Sequence, residues 1–150
     1  MNKNLPQLPT SKFFQLLLKA PDLEQFIQSN AGEMQLLSFS EYATMLCKKQ
    51  GGIPERIIKC ADIERSYGHQ IFKGTRNPSR DTVLQLAFGF GADINIAQEL
   101  LKHAGMSALY PRVKRDAAII YCLRHHYTIV EAQRILYDMG LPLLGGREVK

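Results

Sequence analysis

Residues 61–81 read ADIERSYGHQIFKGTRNPSRD, and this stretch decides the fold. Ile63, Tyr67 and Ile71 recur four residues apart, the apolar stripe of a helix packed on one side. Gly74 ends that helix, and Thr75, Arg76, Asn77, Pro78 and Ser79 follow at once. The opposite face is polar and partly basic: Arg65, Ser66, His69, Gln70 and Lys73. A helix packed on one side and offering Arg, Gln and Ser on the other suits the major groove of duplex DNA.

Working upstream, Pro54 fits the first turn of a helix with Ile57, Ile58 and Ala61 apolar. Four residues around Asp62 separate it from the helix holding Tyr67, a helix-turn-helix pattern. Before it, Ser38 and Glu41 form a capping box, Phe39, Tyr42, Ala43 and Leu46 make the stripe, and Gly51-Gly52 closes. Asp22 opens a short helix, DLEQFIQSN, with Gln25 as its capping partner and Ala31-Gly32 as its stop. A helix over about 11–19 stops before Pro21, and residues 1–10, with Pro6 and Pro9, read as an extended arm. The stripe Phe13, Phe14, Leu16, Leu17, Leu18 is expected in the core, with a dimer surface as the other reading.

Downstream, Ser79 caps a helix with Asp81 in its first turn and Val83, Leu84, Leu86, Ala87 and Phe90 as core. Gly89 and Gly91 close it. A helix over about 95–104 ends at Gly105. Two more follow: about 112–126, with Val113, Ala117, Ile120 and Tyr121 inward, and about 129–139, opened by Thr128 and Glu131 and closed by Gly140. No segment alternates with period two. The chain is therefore expected to be all-α, about eight or nine short helices in a single compact domain. Residues 1–37 would be an arm and helical extension, 38–92 a helix-turn-helix core, and 93–150 a C-terminal extension packed on it. The final pair, RDAAIIYCLRHHY then TIVEAQRILYDMG, echoes SEYATMLCKKQ then IPERIIKCAD, though any helical hairpin shares that layout.

Composition sets the class. The chain has 150 residues, 45% apolar and 22% charged, enough for a packed core and too apolar for wholesale disorder. The net charge of +5 is a mild bias toward anionic partners. It is concentrated between Ile53 and Arg80, where Arg56, Lys59, Arg65, Lys73, Arg76 and Arg80 face only Glu55, Asp62 and Glu64. Arg112, Lys114 and Arg115 form a second cluster, read either as a solvated helix start or as added phosphate contact. Three cysteines without a CxxC fit a reduced setting, and no leader or membrane-length apolar run stands out, so a cytoplasmic protein is expected. Cys122 and His126, four apart with His125 between, suggest a metal pair, but no second pair at ligand spacing supports it. The glycines of GFGAD follow no strand. With no catalytic set in view, no enzyme activity, metal or cofactor is expected.

The stretch from about Phe39 to Phe90 resembles the Cro/lambda-repressor-like (XRE) helix-turn-helix family. The matching residues are Ile57-Ile58 and Ala61, Ile63 after the turn, Tyr67 and Ile71, then Gly74-Thr75-Arg76-Asn77-Pro78-Ser79, then Leu84 through Phe88. The segment from KHAGMSALYPRVKRDAAIIYCLRHHY onward resembles extensions of small bacterial regulators of this type. The resemblance implies a transcription regulator whose partner is double-stranded DNA. Arg65, Ser66 and Gln70, with His69 flanking, fall on base-reading positions; Lys73, Thr75, Arg76, Asn77 and Arg80 fall on or beside phosphate-contacting ones. A homodimer, and a protein partner through the helical extensions, are further partners left open.

Five residues depart from the family pattern. Asp62 stands where glycine is usual, and Ile58 where a small residue is usual, which predicts a wider approach of the two helices. Glu64 replaces Ser or Thr as the cap of the reading helix. Gly68 lies inside that helix, and Phe72 is expected either exposed or covered by the additional helices. Phe72, Gly68 and the additional helices carry the alternative function, an adaptor or sensor that keeps the helix-turn-helix as a scaffold for binding another protein.

Overall fold

The computed structural model describes residues 8–34 and 36–146. Its regular structure is helical throughout those residues. The helices are α1 (Thr10–Lys19), α2 (Leu23–Ser29), α3 (Phe39–Lys49), α4 (Pro54–Cys60), α5 (Arg65–Lys73), α6 (Arg80–Gly89), α7 (Ile94–His103), α8 (Lys114–Arg124) and α9 (Ile129–Asp138). Short 3-10 turns cover Ala31–Glu33 and Leu144–Gly146. The chain divides into two units, one up to residue 37 and one from residue 38.

In the first unit α1 buries no residue, so its apolar stripe is not core. Phe14 is 57% and Leu18 69% exposed, and only Phe13 finds a ring partner, Phe26 of α2, at 5.3 Å. Two short helices present too little surface to cover each other's apolar faces. Asp22 caps α2 by accepting from the Glu24 N–H, and no capping box with Gln25 forms. The expected N-terminal arm lies outside the described residues up to position 7; Pro9 is already the N-cap of α1.

The second unit starts at the Ser38 capping box, which forms as expected. Pro54 begins α4, Ser79 caps α6, and Thr128 forms a second capping box with Glu131. Asp62 takes the left-handed conformation at φ 57°, which Asp tolerates better than most residues. The buried amide of Gln85 clamps the same turn by donating to the carbonyls of Ala61 and Asp62 at 3.3 and 3.4 Å. No break divides residues 38–92 from those that follow: one cluster of buried side chains runs from Phe39 through Leu144.

The bulky Ile58 does not push α4 and α5 apart, because Gly68 receives it. A methyl group at position 68 would lie 2.5–2.9 Å from three side-chain carbons of Ile58. The large residue of this contact is on α4 and the small one on α5. Gly89 serves α4 and α6 in the same way, its absent side chain leaving room for the Ile57 carbonyl and for Ala61. Of the two expectations for Phe72, exposure is excluded. It is buried, with its ring 6.1 Å from that of Phe90 at the end of α6.

In α8 the inward stripe is displaced from the expected one. Asp116, Ile119, Cys122 and Leu123 are buried, whereas Val113 and Tyr121 are about half exposed. Of the expected stripe Ile120 still packs against the core; the buried carboxylate of Asp116 breaks the apolar period. His126 lies beyond the end of α8 at φ 56°, so Cys122 and His126 do not share a helix face.

The internal echo is stronger than the sequence reading found, and it lies elsewhere. The pair α6–α7 recurs in α8–α9 at one constant offset: Arg80 and Arg115, Asp81 and Asp116, Ala97 and Ala132, Gln98 and Gln133, Leu101 and Leu136, Gly105 and Gly140, Leu109 and Leu144. The hydrogen bonds recur with the residues. Gln98 holds the backbone N–H and carbonyl of Leu109 at 2.8 and 3.1 Å; Gln133 holds those of Leu144 at 2.8 and 2.9 Å.

The two repeats clasp each other reciprocally. Arg80 forms a two-pronged pair with Asp116 of the second repeat, at 3.2 and 3.0 Å, and Arg115 forms one with Asp81 of the first, at 2.8 and 3.0 Å. Each arginine also donates to two carbonyls in its own repeat, Arg80 to Ser107 and Ala108, Arg115 to Pro142 and Leu143. Each aspartate accepts one more N–H, from Tyr110 for Asp116 and from Gly145 for Asp81. Such exchange of equivalent contacts is the signature of a two-fold relation. Planar guanidinium groups suit it, since each serves a carboxylate and two carbonyls at once.

Two carboxyls tie stability to pH. Burial works to raise Asp81, but the hydrogen bonds and charge of Arg115, the Gly145 N–H and the charge of Arg80 outweigh it and hold the group below its usual 3.8. Glu64 is held below its usual 4.5 by the N–H groups of Tyr67 and Ser66. A carboxyl depressed on folding stabilises the fold above its unfolded value, and that contribution is lost as pH falls through the folded value. The melting temperature is expected to drop as pH falls below about 4.5, and Asp81→Asn is expected to flatten the lower part of that drop. A midpoint that rises on acidification would contradict this assignment.

Candidate nucleic-acid interface

The expected base-reading residues lie along α5. Arg65, His69 and Lys73 follow one another at four-residue spacing, and Ser66 and Gln70 form the adjoining row. Arg65, Ser66, Gln70 and Lys73 are exposed and His69 is half-buried, while Ile71, Phe72 and Gly68 turn inward. Inward and outward faces separate cleanly because the core contacts recur at helical spacing. Arg65 is not isolated. Its Nε lies 2.7 Å from a carboxylate oxygen of Glu55 in the first turn of α4, with both side chains more than half exposed. An exposed pair of this kind is worth little and is readily exchanged for another acceptor.

Glu64 proves to be a full cap. One of its carboxylate oxygens accepts from the Ser66 N–H at 2.9 Å and the other from the Tyr67 N–H at 2.8 Å. The N-terminus of α5 is thereby satisfied by a side chain of its own and carries a negative charge. The C-terminus ends in a left-handed Gly74 at φ 83°, with the Thr75 N–H returning to the Gln70 carbonyl.

Beyond Gly74, the side chains of Thr75, Arg76 and Asn77 are exposed and Pro78 is buried. The Arg76 guanidinium stands over the Tyr67 ring, 5.4 Å from its centroid, which fixes a cation beside the helix. The Thr75 hydroxyl donates to the Gln70 carbonyl. Ser40, at the start of α3, lies against Gly74: a methyl group there would be 2.9 Å from its hydroxyl oxygen. Ser40 thus joins this edge, a residue that sequence reading passed over because only the packing of α3 on α5 brings it near.

Two basic groups are engaged elsewhere. Arg80, expected beside phosphate, has its guanidinium on Asp116 and on two carbonyls. Arg115, read as a solvated helix start or a phosphate contact, is neither, since it holds Asp81. Arg112 and Lys114 remain exposed.

No protein-family model, curated protein or solved structure matches this chain. Among the described residues, no helix is long and apolar enough to cross a membrane, and no group of three or more His, Cys, Asp or Glu is placed to hold a metal ion.

Proposed function

We propose that the protein is a sequence-specific regulator that binds double-stranded DNA, with α4, the Asp62 turn and α5 acting as a lambda-repressor-like helix-turn-helix. The carrying observation is the exposed polar and cationic face of Arg65, Ser66, Gln70 and Lys73 on a helix whose other face is buried, continued beyond Gly74 by the exposed Thr75, Arg76 and Asn77. Arg65, Ser66 and Gln70, with His69 beside them, read base edges. Arg to guanine and Gln to adenine are the pairings that two-pronged hydrogen bonding favours. Lys73, Thr75, Arg76 and Asn77 set the register on phosphates. Arg80 supports the loop geometry through Asp116 and is removed from the phosphate-contacting set. Affinity falls steeply with salt because phosphate neutralisation releases counterions. A dimer would place its half-sites about one DNA turn apart, roughly 34 Å.

The adaptor reading loses two of its supports, since Phe72 and Gly68 are both buried, and rests on the additional helices alone. Arg65→Ala is expected to relax preference at one base position by roughly 1–3 kcal/mol, whereas Arg76→Ala weakens all sequences alike. Selection from a random duplex pool, followed by titration of the selected and scrambled sites, separates the two effects. Absence of any retardation of duplex DNA at low salt would overturn the reading and return the adaptor to first place.

A further inference from the structure

A cavity of about 440 Å³ opens where three inter-helix turns of the second unit meet. The turns are α3–α4, α6–α7 and α8–α9, and α4 runs along one side. The volume lies in the range that small organic ligands fill. The floor is apolar, with Phe88 and Leu123 at equivalent positions of the two repeats.

The repeats diverge at this cavity. The first supplies Gly91 and Ala92 to the lining; the second supplies His126 and Tyr127 at the same places. Gly91 and His126 share a left-handed backbone, at φ 64° and 56°. Glycine adopts it freely and histidine is among the few side-chain-bearing residues enriched there, so the second repeat keeps the turn while adding an imidazole to the cavity lining. Arg56, on α4, also lines the cavity, and no Asp or Glu does.

Three helices, α3, α6 and α8, end at the cavity, and their C-termini carry partial negative charge. That charge is largely absorbed. The turns return N–H groups from Gly52, Ala92 and Tyr127 to carbonyls of the preceding helix, and the Gln50 amide covers the Phe90 carbonyl. Glu131, in the first turn of α9, is bound back to Thr128 in its capping box. The full charge of Arg56 therefore decides the preference.

We infer that this cavity binds a small carboxylate with a compact aromatic or apolar body, the carboxylate on Arg56 and His126 and the body on Phe88, Leu123 and Tyr127. Capture of the ligand does not require α5 to bind DNA. Its consequence for DNA, through Ile58 on α4 and its seat on α5, rests on the reading proposed above.

The test uses the full chain, uniformly labelled with nitrogen-15, and two-dimensional NMR. Benzoate and phenylacetate are the probes, with benzamide and benzylamine as neutral and cationic controls. The amides of Gly52, Gly89 and Gly91 line the cavity and report on it directly. Benzoate or phenylacetate is expected to move them saturably, with a dissociation constant on the order of 1 mM for so small a probe. Benzamide, benzylamine and the variants Arg56→Gln and His126→Asn are expected to bind about tenfold more weakly or worse, while the exposed control Arg112→Gln leaves binding unchanged. Unmoved glycine amides, equal binding of benzamide and benzoate, or an Arg56→Gln variant that binds benzoate normally would each overturn the assignment. Saturable binding without any retardation of duplex DNA would keep this site and remove the DNA reading.

Discussion

Gly68→Ala is expected to destabilise the protein by roughly 1–3 kcal/mol, although alanine is the better helix former by about 1 kcal/mol. The added methyl has nowhere to go. It meets three carbons of Ile58 at distances that real side chains do not hold, and Ile58 is itself almost wholly buried. Ile58→Ala alone is expected to cost about 2–5 kcal/mol, through lost burial and the cavity left behind. The informative measurement is the double variant. With Ile58 reduced to alanine, the methyl at position 68 fills part of the space, so the two effects should fall short of additive by about 1–2 kcal/mol. Urea unfolding of the four proteins gives the coupling directly. Additive costs would show that α4 and α5 are not seated through this pair.

The Arg–Asp clasp carries the second large effect. Arg115→Ala is expected to cost roughly 2–4 kcal/mol, since it leaves Asp81 with only the Gly145 N–H and takes the donor from two backbone carbonyls. The figure lies below that for a fully buried pair because the Asp81 side chain is 25% exposed. Asp116→Ala is expected to cost at least as much, since that side chain is only 8% exposed and the arginine it leaves behind is also partly buried. Hydrogen exchange distinguishes the clasp from a general loss of stability. Asp81→Ala should release the Gly145 amide, which the Asp81 carboxylate holds, while the Leu144 amide stays protected by Gln133. Equal release of both amides would mean that the variant opens the whole end of the chain and that the clasp has no local role.

Most of the helical framework was legible in the sequence, because caps and stops are local. Ser38 with Glu41, Pro54, Ser79, Thr128 with Glu131, and the left-handed glycines at 74, 105 and 140 act on backbone groups only a few residues away. The polar face of α5 was legible for the same reason. Once Tyr67 and Ile71 are turned inward, Arg65, Ser66 and Gln70 have no other side to occupy.

The failures share a different origin. Periodicity marks the α1 stripe as core because it reports an apolar face without reporting whether anything covers it. Tyr121 was placed inside and Asp116 left out of the core, since a carboxylate is counted as solvent-facing until its arginine is known, and that arginine is 36 residues away. Arg80 and Arg115 were read from their charge as surface cations; their partners lie across a two-fold relation between repeats that share few identical residues.

The sequence by itself thus determined where helices begin and end and which side of α5 faces out, since both follow from interactions within a turn or two of backbone. Only the tertiary structure decided which charges are free. Arg76 stands exposed over Tyr67, whereas Arg80 is bound to Asp116 in another helix, and nothing local to either residue distinguishes them. The same holds for Ile58 and Gly68. Each departs from the expected size when read alone, and only their contact makes the two departures cancel.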